Sequence, residues 1–186
     1  MFSNLNGKKF DVIYADPPWS FNSKKTGGSM KSGSDQIYGN MTIEQLKEMP
    51  VSDIAEDNCM LVMWWVGAMP QEAIDLVNAW GFRLVNMNGF VWNKLTKHGL
   101  PFFGMGHYTR AGSESAIIAI KGKFKVDSRG VRAVRTEIVG EHSEKPAVFH
   151  SDIEKMAGKD KSFVELFARK PCPGWSVWGN QSGNDE

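Results

Sequence analysis

Phe10-Asp11-Val12-Ile13-Tyr14-Ala15-Asp16-Pro17-Pro18-Trp19 decides how this chain is read. Its first six residues are a short apolar, β-branched and aromatic run, and the run stops at Asp16-Pro17-Pro18. That is the pattern of a buried strand running into a loop. From Ser20 to Asn40 the chain is dominated by Ser, Gly, Lys and Asn, including Lys24-Lys25-Thr26-Gly27-Gly28-Ser29, so this loop is expected to add little core and to be mobile without a ligand. Asp and Pro favour turns whatever the function. A strand ending on a polar motif with a long polar loop behind it, however, is the placement expected of an active site in an α/β sheet.

Working outward, Thr42-x-x-Gln45 is a capping box that opens a helix toward Met49, and Pro50 stops it. Cys59 to Val66 predicts a buried strand. Met69-Pro70 opens an amphipathic helix with Ala73, Ile74 and Val77 on one side, ending at Trp80-Gly81. A strand through Val91-Trp92, a second long loop from Leu95 to Gly112 and a strand from Glu114 to Lys121 follow, and a hairpin is expected after it. Pro146 to Met156 predicts a helix stopped by Gly158, Ser162 to Ala168 a buried strand, and Trp175 to Trp178 a last short one. Strands alternating with helices indicate an α/β fold with a central sheet, largely parallel where helices make the crossovers. No repeat or internal boundary interrupts residues 1–186, which reads as a single domain.

Composition narrows the function classes. The chain has 186 residues, 41% hydrophobic and 11% aromatic, which suits one globular core. Its longest apolar stretch, Cys59 to Met69, falls short of a membrane span, and Met1 to Phe10 has no secretory apolar core, so a cytoplasmic protein with no membrane partner is expected. Cys59 and Cys172 suggest neither a disulfide framework nor a zinc site. His98, His107, His142 and His150 are too scattered for a local metal-binding pair, and no metal is expected. Net charge is +1, but Lys121, Lys123, Lys125, Arg129, Arg132 and Arg135 face only Asp127 in one stretch. That strip reads equally as a solvated face or as a phosphate-binding surface.

The tetrapeptide Asp16-Pro17-Pro18-Trp19 arises by chance in roughly one in a few thousand chains of this length at average residue frequencies. Its chemistry suits an exocyclic amine on an aromatic base. The lone pair of such an amine is delocalised into the ring, and acceptors aimed at its hydrogens localise it. Asp16 is acceptor-only when ionised, and the Pro17 carbonyl is a rigidly placed second acceptor. The Trp19 indole is expected to stack on the base, worth about 1–3 kcal/mol in nucleic-acid sites. The prolines preorganise these groups.

The chain resembles the N6-adenine methyltransferases typified by the catalytic subunit of the eukaryotic messenger-RNA adenosine methyltransferase, a family with bacterial and phage members. Beside the tetrapeptide, the resemblance rests on Tyr38-Gly39-x-Met41-Thr42, Trp65-Val66, Trp92-Asn93-Lys94, Gly106-His107-Tyr108-Thr109-Arg110 with Glu114, and Lys121-Gly122. It continues through His142-Ser143-x-Lys145-Pro146, Glu165-Leu166-Phe167-Ala168-Arg169 and Gly179-Asn180-Gln181, in order over nearly the whole chain. It implies a Rossmann-like fold of the S-adenosylmethionine-dependent methyltransferases with permuted motif order, the catalytic strand first. Asp16, Pro17, Pro18 and Trp19 would be catalytic and hold the base. Asp16, Lys145, Leu166, Phe167, Arg169, Asn180 and Gln181 would contact S-adenosylmethionine. Lys94, Tyr108, Arg110 and Trp19 would meet the nucleic acid. Glu165, in an otherwise apolar strand, is either an outward-facing residue, which alternation favours, or a ligand-facing carboxylate.

The chain departs from the pattern in three places. The strand upstream of the catalytic one is absent or reduced to Asn4 to Lys8, Pro171-Cys172 replaces a polar pair, and no separate target-recognition module is present. The implied reaction is direct transfer of a methyl group to adenine N6 without a covalent enzyme intermediate, on DNA in preference to RNA, with a homodimer as a plausible assembly. The rival readings are an RNA N6-adenosine methyltransferase, methylation of another planar amine or amide, and a non-catalytic nucleic-acid-binding subunit.

Overall fold

The computed structural model describes residues 1–19, 41–140 and 144–179, so the Ser20 to Asn40 loop lies outside the described residues. β1 (Phe10–Ala15) forms where the sequence places it, with Val12, Ile13, Tyr14 and Ala15 all buried. A strand buried on both faces belongs in the interior of a covered sheet. Thr42 caps α1 (Ile43–Glu48): its hydroxyl accepts the Gln45 N–H, and the Gln45 side chain accepts the Thr42 N–H at 2.8 Å. This is the reciprocal capping box expected from the sequence. A turn of 3-10 helix leads into β2 (Ala55–Trp65), and α2 (Pro70–Ala79) starts with Pro70 in its first turn, where the missing N–H costs nothing. β3 (Arg83–Leu95), β4 (Ser113–Lys121), β5 (Val134–Ile138), α3 (Val148–Ala157), β6 (Phe163–Leu166) and β7 (Ser176–Trp178) complete the described elements.

Among the described residues the strands form one sheet in the order β5-β3-β4-β2-β1-β6-β7. β2 and β6 flank β1 in parallel, β7 continues beyond β6, and only β4 runs against its neighbours. The faces sort by alternation. Ile13, Leu61, Met63 and Val164 turn toward α1 and α2, whereas Val12, Tyr14, Val62, Trp64 and Trp92 turn toward Phe149 and Ile153 of α3. This is a Rossmann-like α/β arrangement in which β1, the strand that runs into Asp16, comes first. Seven tryptophans pack into it, and every indole N–H finds an acceptor, among them the Tyr14 hydroxyl for Trp64 and the Leu46 carbonyl for Trp80. Buried indoles need such partners, because an unpaired N–H costs about 1–3 kcal/mol.

The structure corrects one expectation. No hairpin follows β4. At Gly122 (φ +65°) an added Cβ would lie 2.2 Å from the Asp57 carbonyl oxygen, and the chain turns there under the lower end of β2. It then passes the end of α3, where the Asp127 N–H donates to the Met156 carbonyl at 2.8 Å, before β5 joins the far side of β3 in parallel. The reason is apolar: Phe124 and Val131, inside the basic strip, pack onto the α3 core. Of the two alternatives for the segment before β1, the structure takes the first, with no strand there. Ser3–Leu5 is a turn of 3-10 helix that lies along β7, with the Asn4 amide donating to the Val177 carbonyl at 3.2 Å.

Candidate active site

The chain leaves β1 toward β2 through α1 on one face and reaches β6 through α3 on the other. A sheet whose connections diverge in this way opens a crevice at the carboxyl ends of its strands, between β1 and β6. Asp16 sits at that point, one residue past β1. Because side chains alternate, Asp16 shares the α3 face with Tyr14. The same period puts Glu165 of β6, Trp64 of β2, Glu114 of β4 and Lys94 of β3 on that face. They form a row across the upper end of the sheet in strand order. Glu114 can join it only because β4 is antiparallel, which brings the start of that strand to the end where its neighbours finish.

Lys145, just before α3, closes the row. Its Nζ donates to Asp16 Oδ2 at 2.9 Å and lies 3.2 Å from Glu114 Oε1, while Lys94 Nζ lies 2.6 Å from Glu114 Oε2. The side chain of Lys145 is only 9% exposed and sits 5.4 Å from the Trp64 ring centre. Asp16, Lys145, Glu114 and Lys94 therefore alternate in charge and cancel. Burial works against the Lys145 ammonium, but Asp16 and Glu114 outweigh it and raise its pKa. Burial likewise works against the Glu114 carboxylate, and Lys145 with Lys94 overcomes it, so Glu114 stays ionised below the usual range. Tyr14 is pushed well up by burial and remains a neutral phenol.

On the β6 side an open cleft of about 720 Å³ reaches from Asp16 and Tyr14 past Glu165 and Phe167 to Arg169 and the Pro171-Cys172-Pro173 segment. Its floor is the pair His150–Glu165, with Nε2 and Oε2 2.7 Å apart, the imidazole set edge-on between Tyr14 and Trp175. Two buried nitrogens at this cleft lack a partner, Arg169 Nη1 and His150 Nδ1. Buried polar groups are paired in folded proteins, so the Arg169 donor points to a ligand that supplies an acceptor, whereas His150 Nδ1, with the ring proton on Nε2 facing Glu165, is an acceptor. Phe167 holds a left-handed backbone (φ +63°) at the end of β6, and its ring packs edge-on to Trp178. Bulky residues rarely adopt that conformation, and such strain collects at ligand sites.

The sequence-predicted residues divide. Asp16, Lys145, Phe167 and Arg169 come together at the cleft. Leu166 is fully buried in the α1 and α2 core and is not among the residues that line the cleft. Asn180 and Gln181, like His142, lie outside the described residues. Trp19, expected to offer its ring to a base, is 8% exposed and donates to the Trp64 carbonyl at 3.0 Å; it braces the motif from inside. The Pro17 carbonyl accepts the Trp19 N–H at 2.9 Å and retains a second lone pair. Lys94 is committed to Glu114 rather than open to a phosphate, whereas Tyr108 and Arg110 project on a loop above it. The basic strip splits. Lys121 pairs with Cys59 at the lower end of the sheet, roughly 16 Å below Asp16 at ~3.3 Å per strand residue. Arg135 is spent on Asp152 through two 2.6 Å hydrogen bonds. Glu165 was misjudged by alternation: it faces α3 and the cleft. His150 carried no signal except its four-residue offset into a helix that begins at the site.

The MT-A70 family model matches residues 10–181. The chain belongs to the MT-A70 family. Among similar proteins, the type II methyltransferase M.MunI of Mycoplasma is 34% identical over 197 residues, an alignment covering 96% of this chain and 80% of that one. The N(6)-adenine-specific methyltransferase METTL4 of Homo sapiens is 26% identical across 94% of this chain, and the human N(6)-adenosine-methyltransferase catalytic subunit METTL3 is 24% identical across 93%. The chain spans 38% and 28% of those two proteins. The MT-A70 chain is thus a methyltransferase of Rossmann-like fold.

Proposed function

We propose that this chain transfers the methyl group of S-adenosylmethionine to N6 of adenine in DNA, with residues 1–186 acting as one methyltransferase domain. The observation that carries the reading is Asp16 at the β1–β6 crevice, lining the cleft and held by Lys145 at 2.9 Å. The cleft fits the donor's groups. Arg169 Nη1, buried and unpartnered, suits a ribose hydroxyl or the carboxylate, and Glu165 and Asp16 offer negative charge to an ammonium and a sulfonium. When bound, the donor supplies an electrophilic methyl group.

The chain's own residues do the rest. Asp16 and the Pro17 carbonyl accept the two N6 hydrogens, which turns the lone pair out of conjugation and toward the cleft. Lys145 fixes the Asp16 carboxylate by its 2.9 Å hydrogen bond, and Glu114 with Lys94 fixes Lys145 from behind. Trp19 locks the loop by its bond to β2. With the methyl group passing to N6 as its bond to the donor sulfur breaks, the amine would become cationic beside Asp16 and would then lose one proton to solvent. A base inside a duplex cannot reach this crevice, so it has to be swung out at a cost of a few kcal/mol.

Support for DNA comes from the relative this chain covers to 80%, a type II methyltransferase, against 28% for the adenosine methyltransferase subunit. The test is transfer of labelled methyl from S-adenosylmethionine to unmethylated DNA and to RNA transcribed from it. Label in DNA supports the proposal, label in RNA alone moves the substrate, and label in neither overturns it.

A further inference from the structure

The loop above the charge row is a built arm. Its base is stitched to Lys94, whose N–H donates to the Gly112 carbonyl at 2.9 Å and whose carbonyl accepts the Phe102 N–H at 3.0 Å, with the Phe102 ring 5.2 Å from Lys94 Nζ. Higher up, Gly104 and Ala111 form an antiparallel bridge through hydrogen bonds of 2.7 and 3.2 Å. The tip is tight: a Cβ on Gly106 would lie 2.4 Å from the Thr109 carbonyl oxygen. The arm is therefore anchored on the outer end of the Asp16–Lys145–Glu114–Lys94 chain, at the end of the sheet where the base must enter.

What the arm displays does not serve the fold. Phe103, Met105 and Tyr108 are 76%, 77% and 109% exposed. Tyr108 also holds a left-handed backbone (φ +66°), which disfavours bulky residues, and directs its ring into solvent. Arg110 lies over the Phe103 ring at 5.1 Å. Between residues 95 and 112 the chain carries Lys97, Arg110, His98 and His107, and neither Asp nor Glu. Exposed rings interleaved with cations and free of acids match a polyanion with flat faces, which is nucleic acid.

We propose that this arm grips duplex DNA beside the target adenine, Tyr108 stacking on the bases left exposed when the adenine swings out while Arg110 and Lys97 hold flanking phosphates. The inference rests on the DNA-methyltransferase reading and adds the element that opens the duplex. An apolar wedge that unstacks a step is a known way to lower the cost of distortion.

The test compares the unaltered chain with Tyr108→Ala and Tyr108→Trp on unmethylated duplex DNA, on the same DNA denatured, and on a duplex with 2-aminopurine next to methylated positions. Tyr108→Ala is expected to lower duplex methylation about tenfold, more than it lowers single-strand methylation, in line with the loss of one stacking contact. It should also abolish the 2-aminopurine fluorescence rise, and Tyr108→Trp should restore both. Equal losses on duplex and single strand, or no loss, overturn the wedge while leaving the enzyme reading intact. A switch from dimer to monomer in sedimentation with Tyr108→Ala overturns it in favour of a surface for a second copy. No methylation of either DNA by the unaltered chain sinks the underlying reading instead.

Discussion

Replacing Lys145 by Met removes one charge from the middle of the row while keeping the length of an unbranched side chain. The ammonium lies 2.9 Å from Asp16 and 3.2 Å from Glu114, and its side chain is 9% exposed. Without it two carboxylates, 27% and 23% exposed, face each other across an apolar gap with only Lys94 to answer them. Breaking a buried ion pair by removing one partner costs about 3–5 kcal/mol, because the remaining charge is left unpaired. The lower part of that range is expected, since one carboxylate can take up a proton. Thermal unfolding should register it as a fall in Tm of roughly 10 °C for a chain of this size. Calorimetric titration with S-adenosylmethionine should show weaker binding. The double variant Lys145→Met/Glu114→Gln removes the stranded negative charge and should recover stability, with a coupling of about 1–3 kcal/mol in the double-mutant cycle. A Lys145→Met protein that unfolds within about 0.5 kcal/mol of the unaltered chain, or a double variant whose losses simply add, would refute the reasoning.

The remaining predictions concern single groups. Asp16→Asn keeps the size but loses an acceptor and the charge, and should cut the rate of methyl transfer by about 10²–10³ in single-turnover assays while circular dichroism stays native. His150→Phe strands Glu165 in a cleft wall with 17% exposure, and should weaken S-adenosylmethionine binding about tenfold by calorimetry. Trp19→Phe shrinks a buried ring and takes the indole N–H from the Trp64 carbonyl, and should cost about 1–2 kcal/mol in denaturant unfolding. The pH dependence has a definite sign. Glu114 is lowered from 4.5, so its contribution is full above pH 4.5 and is lost as pH falls through the lower folded value. Lys145 is raised from 10.5, so its contribution is full below pH 10.5 and is lost as pH rises through the higher folded value. Unfolding midpoints should therefore show no loss attributable to Glu114 or Lys145 between those limits, and a Glu114→Gln variant should be less acid-sensitive than the unaltered chain.

Much of the architecture was legible because it depends on local pattern. The apolar run before Asp16, the Thr42–Gln45 capping box and Pro70 each act within a few residues, and each element formed where those signals put it. The path after Lys121 was not legible. Glycine and basic residues there suggest a turn, whereas the decisive contacts are Phe124 and Val131 against a helix more than fifteen residues later. The site shows the same division. Asp16 could be read from four letters, but the charge row is made by five strands and one loop whose order in the sheet no local pattern reveals. Glu165 shows why alternation misleads: the outward face of β6 is the face that α3 and the cleft cover. Trp19 shows the reverse, a residue whose type suggested base stacking and whose ring the fold keeps for itself. Family resemblance supplied what local physics did not, bringing Lys145 and Arg169 forward before their partners were visible.

The account stands most directly on the identity of the modified base. Nucleoside mass spectrometry of unmethylated DNA incubated with S-adenosylmethionine and either the unaltered chain or Asp16→Ala reads it in one experiment. The account predicts N6-methyladenine with the unaltered chain and none with Asp16→Ala. A different methylated base, or N6-methyladenine that persists undiminished in Asp16→Ala, would contradict it.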